Sequence, residues 1–179
     1  MDYKIEQIRL DHPGLFVGSF VVCAIVRCRE NATGPCAFGV RCEWLLRTGD
    51  GLHPLSLSWG KEAEKAADKA ERTSQENRVT EDAAIGVCAA GFAVFKEGEI
   101  TEVTLRGQGV DFWIDDRRAV LEVSGIRSGT PDDLAKRHRE KLQQLRNGSL
   151  FKMGKAGYVF VPCFSARLAV FSHHTQVRS

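Results

Sequence analysis

Residues 109–125 read GVDFWIDDRRAVLEVSG, and this stretch decides how the second half of the chain folds. Two apolar runs, residues 110–114 and 119–123, flank a polar turn, which predicts two antiparallel strands. Each run carries one acid, Asp111 in the first and Glu122 in the second. An acid inside an apolar strand is costly unless it is paired, hydrogen-bonded or bound to a metal. We therefore expect both carboxylates to have specific partners.

The two acids admit two interpretations. On neighbouring antiparallel strands they could face the same side of the sheet, where converging carboxylates suit a hard divalent cation such as Mg²⁺. Alternatively, each could be an ordinary strand-end carboxylate bound to Arg106, to Arg117 or to a backbone amide. The spacing alone leaves both interpretations open.

Helices are predicted on both sides of this hairpin. Thr80, followed by Glu81, is typical of a helix N-terminus, and Gly91 is expected to end that helix. A second helix is predicted to begin at Pro131 and to end at Asn147. The turn at residues 107–109 separates two of the predicted strands. Strands are expected over residues 100–105, 110–114, 119–123, 158–164 and 168–171, so the order from residue 80 is α-β-β-β-α-β-β.

The first 78 residues are predicted to form an N-terminal antiparallel β-meander and a surface helix, packed on a core formed by residues 79–179. The meander strands are expected over residues 3–10, 15–27 and 36–47, with a turn at residues 31–35. Residues 61–76 are rich in Ala, Lys and Glu, which predicts the surface helix. The predicted fold class is therefore α/β, with a mixed central sheet flanked by helices and an N-terminal meander.

The overall composition excludes several classes of protein. The chain has 179 residues, of which 43% are hydrophobic and 27% charged, and this excludes a disordered or low-complexity chain. The apolar run at residues 15–26 is shorter than the roughly 20 residues that a spanning helix needs, so no membrane association is expected. Six cysteines without a CxxC pair favour reduced, buried thiols and a cytoplasmic location.

Positive charge is concentrated in one segment. The net charge of the chain is only +2, but residues 127–155 hold eight basic and three acidic side chains, a difference of +5. A local basic patch of this kind is typical of a surface that binds phosphates, although a solvated helix face gives the same pattern. The residues expected to contact nucleic acid are Arg127, Lys136, Arg137, Arg139, Lys141 and Gln143.

The order of elements and the two acidic motifs together resemble the PD-(D/E)xK, or restriction-endonuclease-like, superfamily over roughly residues 80–165. The motifs are GVD at residues 109–111 and LEVS at residues 121–124. The resemblance implies that Asp111 and Glu122 hold Mg²⁺ or Mn²⁺ and that Glu81 assists them. It also implies hydrolysis of phosphodiester bonds in nucleic acid, with DNA favoured over RNA, in a setting such as DNA repair or phage defence.

One position departs from the pattern of the family. Ser124 stands where the resemblance predicts a catalytic lysine, which would position the attacking water and offset the charge that develops on the phosphate. Lys136 or Lys141, on the following predicted helix, could supply that charge, and the Ser124 hydroxyl could donate a hydrogen bond. Two alternatives remain open: a catalytically inactive nuclease-fold module for binding or assembly, and a metal-free α+β interaction protein that forms a homodimer through its sheet edges.

Overall fold

The computed structural model describes residues 2–30, 35–105 and 108–176. The strands are β1 (Asp2–Lys4), β2 (Cys36–Glu43), β3 (Gly51–Ser58), β4 (Ile100–Val103), β5 (Phe112–Ile114), β6 (Ala119–Val123), β7 (Ala156–Cys163) and β8 (Leu168–His174). The helices are α1 (Ile8–Asp11), α2 (Gly18–Arg29), α3 (Lys61–Thr73), α4 (Glu76–Phe95), α5 (Pro131–Asn147) and α6 (Ser149–Lys152).

Within the described residues, the eight strands form one mixed sheet in the order β1-β3-β2-β8-β7-β6-β5-β4. The pairs β1–β3, β2–β8 and β6–β7 are parallel, and the other neighbours are antiparallel. The predicted α/β class, with a mixed central sheet flanked by helices, is confirmed. The expected boundary after residue 78 falls inside α4, and β2 pairs with β8, so the N-terminal segment shares its sheet with the core.

The predicted N-terminal meander is wrong. Residues 15–27, expected as a strand, contribute most of helix α2, and residues 3–10 hold only the short β1 before a 3₁₀ turn and α1. The strand expected at residues 36–47 is confirmed over residues 36–43 as β2, and residues 44–47 follow it as a bend and turn. Strand β3 is not among the predicted strands. Residues 31–34 of the expected turn lie outside the described part of the chain.

Burial explains why α2 is helical despite its many β-branched residues. The helix packs between α4 and α3, and most of its side chains from Val21 to Cys28 are buried. It approaches α4 so closely that a Cβ atom added to Gly86 would lie 2.5 Å from the carbonyl oxygen of Phe20. A continuous apolar run is compatible with a strand or with a buried helix, and here tertiary packing overrides the β propensity.

The helix predicted from Thr80 begins earlier and ends later than expected. Helix α4 starts at Glu76, so Glu81 lies in its second turn and the Thr80 hydroxyl donates a hydrogen bond to the Glu76 carbonyl instead of capping the helix. The helix ends at Phe95, followed by Lys96 in the left-handed region, and Gly91 lies inside it. Helix α3 covers most of the predicted surface helix, and α5 and β6 have the predicted bounds.

The sheet separates two apolar layers. On one face, α2 and α4 pack on aromatic side chains that include Phe160 and Phe171. On the other face, α5 packs through Leu134 and Leu145 on the alternate residues of β6 and β7. The six cysteines all lie within the described residues, and all are buried and free, as predicted. None of the helices in the described residues is long and apolar enough to cross a membrane.

Candidate active site

A cleft of about 330 Å³ opens where β5 and β6 meet helices α4 and α5. Asp111, directly before β5, and Ser124, directly after β6, line this cleft together with Glu81 from α4 and Lys141 from α5. Four of the residues singled out from the sequence are therefore brought together, although Glu81 and Lys141 approach from opposite layers of the fold.

Glu122 lies beside the cleft and is fully buried. Each of its carboxylate oxygens accepts a hydrogen bond from α5: Oε2 from Nζ of Lys141 at 2.8 Å and Oε1 from Nε2 of Gln144 at 2.9 Å. Lys141 also donates to Oε1 of Gln144, at 3.1 Å. The three side chains form a closed group of hydrogen bonds, which holds the Glu122 carboxylate in one orientation.

Asp111 is held by the backbone of the neighbouring strand. Its Oδ2 atom accepts a hydrogen bond from the amide of Val123 at 2.9 Å, and its own amide donates to the Leu121 carbonyl. Because Leu121 and Val123 flank Glu122, these bonds place Asp111 beside the backbone of Glu122, close enough for its negative charge to act on the buried carboxylate. The two acids of the sequence motif therefore lie on adjoining backbone segments at one end of the cleft.

The environment of Glu122 shifts its titration strongly. Burial is the largest cause, and with the negative charge of Asp111 it raises the pKa of Glu122 from 4.5 to about 7. Lys141 and Gln144 act in the opposite direction, because they stabilise the ionised form. A carboxyl group with a pKa near neutrality in a cleft is a common property of functional sites.

Both sequence interpretations of the acids describe part of this arrangement. Asp111 does bind a backbone amide, as the structural interpretation expected, yet it also lines the cleft beside Glu122. Arg117 instead forms a two-point ion pair with Glu102, at 2.6 and 2.9 Å. Arg106 and residue 107 of the predicted turn lie outside the described residues.

Of the two lysines predicted on α5, Lys141 contacts Glu122, whereas Lys136 is exposed. A helix turns by about 100° per residue, so Lys136 points about 140° away from Lys141 around the axis. Gln144 is not among the residues predicted for the site. It lies three residues after Lys141 and therefore on the same face, and this spacing is the signal that could have identified it.

The other predicted nucleic-acid contacts do not converge on the cleft. Arg127 pairs with Glu30, at 3.3 Å, and with Glu76. Arg137 pairs with Glu140 at 3.2 Å. The three remaining residues, Lys136, Arg139 and Gln143, are exposed on α5.

The donors at the cleft suit a divalent cation only with help from other ligands. Among the described residues, no group of three or more His, Cys, Asp and Glu side chains could hold a metal ion. Asp111 and Glu122 nevertheless offer hard oxygen donors, and Mg²⁺ is commonly held by one or two carboxylates, with water and substrate phosphates completing its coordination. A cation there would have to share Glu122 with Lys141 and Gln144, which donate hydrogen bonds to both of its carboxylate oxygens.

No family model, curated protein or solved structure matches the chain. The geometry of the cleft and the residues that form it therefore carry the functional conclusion.

Proposed function

We propose that this protein is a Mg²⁺- or Mn²⁺-dependent nuclease that hydrolyses phosphodiester bonds in nucleic acid. The observation that carries the proposal is the contact between Lys141 and Glu122 beside Asp111. This contact brings the positive charge of Lys141 to a site with two carboxylates. Ser124, which carries no charge, occupies the position where the resemblance predicts a lysine.

Each residue of the site has a distinct role in this proposal. Asp111 and Glu122 would hold the cation, with Glu81 on the opposite wall of the cleft. When bound, Mg²⁺ or Mn²⁺ would lower the pKa of an attacking water and would polarise the scissile phosphate. Lys141 would turn from Glu122 toward the phosphate and offset the charge that grows there in the transition state.

Gln144 and Ser124 would act as positioning residues. Gln144 holds Oε1 of Glu122 and so keeps the carboxylate aligned when Lys141 moves. The Ser124 hydroxyl lines the same cleft and would donate a hydrogen bond to a phosphate oxygen. DNA is the favoured substrate, and a role in DNA repair or phage defence belongs to the same proposal through the family resemblance. A cytoplasmic location, expected from the reduced cysteines, and a homodimer, expected from the sheet edges, are also part of the proposal.

A cleavage assay with labelled DNA and RNA, in Mg²⁺, in Mn²⁺ and in a chelator, tests the proposal. We expect metal-dependent cleavage, which Glu122→Gln and Lys141→Met each lower by about 10²–10³-fold, the usual cost of removing a charge-stabilising group. Lys69→Met, on the exposed surface of α3, serves as the matched control. Cleavage that Glu122→Gln leaves undiminished would contradict the proposal.

A second candidate function is a catalytically inactive binding module of the same fold. It is favoured by the hydrogen bonds that already occupy both oxygens of Glu122 and by the missing third acidic ligand in the described part of the chain. Binding of nucleic acid that neither requires a divalent cation nor leads to cleavage would support this alternative.

A further inference from the structure

The active-site cleft continues into two further cavities. Val103 and Asp111 line both the cleft and a second cavity of about 460 Å³. Gly109 and Gln144 line both this second cavity and a third, of about 580 Å³. The shared lining residues place the three cavities side by side, and we call this row of cavities, from Asp111 to Lys152, the exit groove.

The two walls of the exit groove differ in chemistry. The wall that continues from β4 carries two large apolar side chains in contact with solvent, Val103 and Leu105, which are 66% and 74% exposed. The opposite wall, at the end of α5 and the start of α6, presents Asn147, Ser149 and Lys152. An elongated ligand in this groove would meet apolar groups on one side and polar groups on the other.

Two glycines form the floor where the walls meet. Gly109 has a φ of +74°, and a Cβ atom there would lie 3.2 Å from the Cα atom of Gly148. Side chains at this crossing would push the two backbone segments apart, so only glycine allows the approach. The floor is therefore bare backbone, which leaves room for a ligand between the walls.

The polar groups of the exit groove are mainly hydrogen-bond donors. Oε1 of Gln108 accepts a hydrogen bond from the amide of Leu105 at 3.1 Å, and Oδ1 of Asn147 accepts one from Gln143 at 3.4 Å. In the described part of the chain, the NH₂ groups of Gln108 and Asn147 have no acceptor. With the ammonium group of Lys152, they favour a ligand rich in acceptor oxygens, such as a phosphodiester backbone.

We propose that the exit groove binds one unpaired strand of nucleic acid, which extends from the Asp111–Glu122 site toward Lys152. This inference rests on the proposed function and specifies the substrate as single-stranded. The donor wall would contact phosphate and sugar oxygens, while Val103 and Leu105 would pack against base faces. In a duplex those faces are stacked inside the helix, whereas an unpaired strand exposes them.

Fluorescence anisotropy in a chelator measures this binding without cleavage. The probes are a labelled single strand of about 12 nucleotides, within the range bound by single-strand proteins, and its duplex. For the single strand we expect Lys152→Glu to weaken affinity about tenfold and to lower the salt slope by about 0.7, the value of one phosphate contact. Leu105→Ser should weaken single-strand binding about fivefold and leave duplex binding unchanged.

Matched controls separate these effects from general changes in charge and hydrophobicity. Lys69→Glu, on α3, repeats the charge reversal, and Leu52→Ser, on β3, repeats the apolar loss at a side chain that is 69% exposed. Both should bind the single strand as the wild type does. Equal losses in the variants and their controls, or tighter binding of the duplex than of the single strand, would overturn the proposal.

The same variants distinguish failure of the groove from failure of the nuclease proposal. Single-strand binding that depends on Lys152 and Leu105, in a protein that cuts no substrate, would retain the groove and reject the hydrolysis. Cleavage that depends on Glu122 but is unaffected by Lys152→Glu and Leu105→Ser would retain the hydrolysis and reject the groove.

Discussion

The Nζ atom of Lys141 lies 2.8 Å from Oε2 of Glu122, and this ion pair joins helix α5 to strand β6. The Glu122 side chain is 0% exposed and the Lys141 side chain only 17% exposed, so water contributes little to the solvation of the carboxylate. Asp111 opposes ionisation of Glu122 and Lys141 favours it. Burial raises the pKa of Glu122 most, and two charged neighbours from different layers of the fold, Asp111 and Lys141, then act on it in opposite directions.

Replacing Lys141 with methionine should destabilise the protein in a pH-dependent way. Without the ammonium group, the pKa of Glu122 should rise further, because only Gln144 then opposes burial and Asp111. We expect the free energy of unfolding to decrease by about 1–3 kcal/mol at pH 8, where a buried charge loses its partner. The decrease should be smaller at pH 5, where Glu122 is protonated. Urea denaturation at both pH values, with Lys69→Met as the control, measures the difference. Equal losses at pH 5 and pH 8 would contradict this account of the ion pair.

The free energy of unfolding should depend on pH because Glu122 titrates differently in the folded and unfolded states. The pKa is raised in the folded state, to about 7 from 4.5, so the contribution of this group is fully present below pH 4.5 and is lost as the pH rises through about 7. The total is up to about 3 kcal/mol. The Glu122→Gln variant cannot titrate at this position. The free energy of unfolding of the wild type, relative to this variant, should therefore decrease as the pH rises from 4.5 to about 7. A difference that does not vary with pH would show that Glu122 titrates normally.

Divalent cations should stabilise the folded protein through Asp111. A ligand at a hundredfold excess over its dissociation constant adds about 2.7 kcal/mol to the free energy of unfolding, so Mg²⁺ or Mn²⁺ should raise the melting temperature measurably. Asp111→Asn should abolish the increase. Glu102→Gln removes a carboxylate that is paired with Arg117 outside the cleft, and it should keep the increase. An identical response in the two variants would place the cation elsewhere.

The crossing of α2 and α4 should not tolerate a side chain at Gly86. Gly86→Ala places a methyl group against the Phe20 carbonyl, and we expect a loss of about 1–3 kcal/mol from overpacking. Gly18→Ala is the matched control, because a Cβ atom there would meet nothing within 4 Å. Thermal denaturation of both variants tests this, and a stable Gly86→Ala protein would mean that the two helices separate easily.

The second half of the fold could be predicted because its signals are local. Helix α5 has proline in its first turn and a capping box in which Thr130 and Asp133 bond each other's backbone amides, and β6 is a short apolar run beside a turn. Helix α2 carries no such signals, since its apolar residues are buried on nearly all sides. Its conformation is decided by contact with α4, which the sequence around α2 does not reveal.

The candidate site shows the same division between local and distant information. Asp111 and Glu122 stand out because acids are rare in apolar strands, and the family resemblance made Lys141 one of two options on the following helix. The choice between Lys136 and Lys141 depends on how α5 is rotated on the sheet, which only packing determines. The pairing of Arg127 with Glu30 is also invisible in the sequence, since these residues are far apart along the chain.

The position of β2 in the sheet has a consequence for synthesis of the protein. Strand β2 lies between β3 and β8, and Gly39 pairs with Leu168. One edge of β2 therefore stays unpaired until β8 has been synthesised. During translation, the nascent chain therefore carries an open strand edge that can pair with other polypeptides. Protection by a ribosome-associated chaperone would matter most in this interval, before the late strand emerges and closes the sheet.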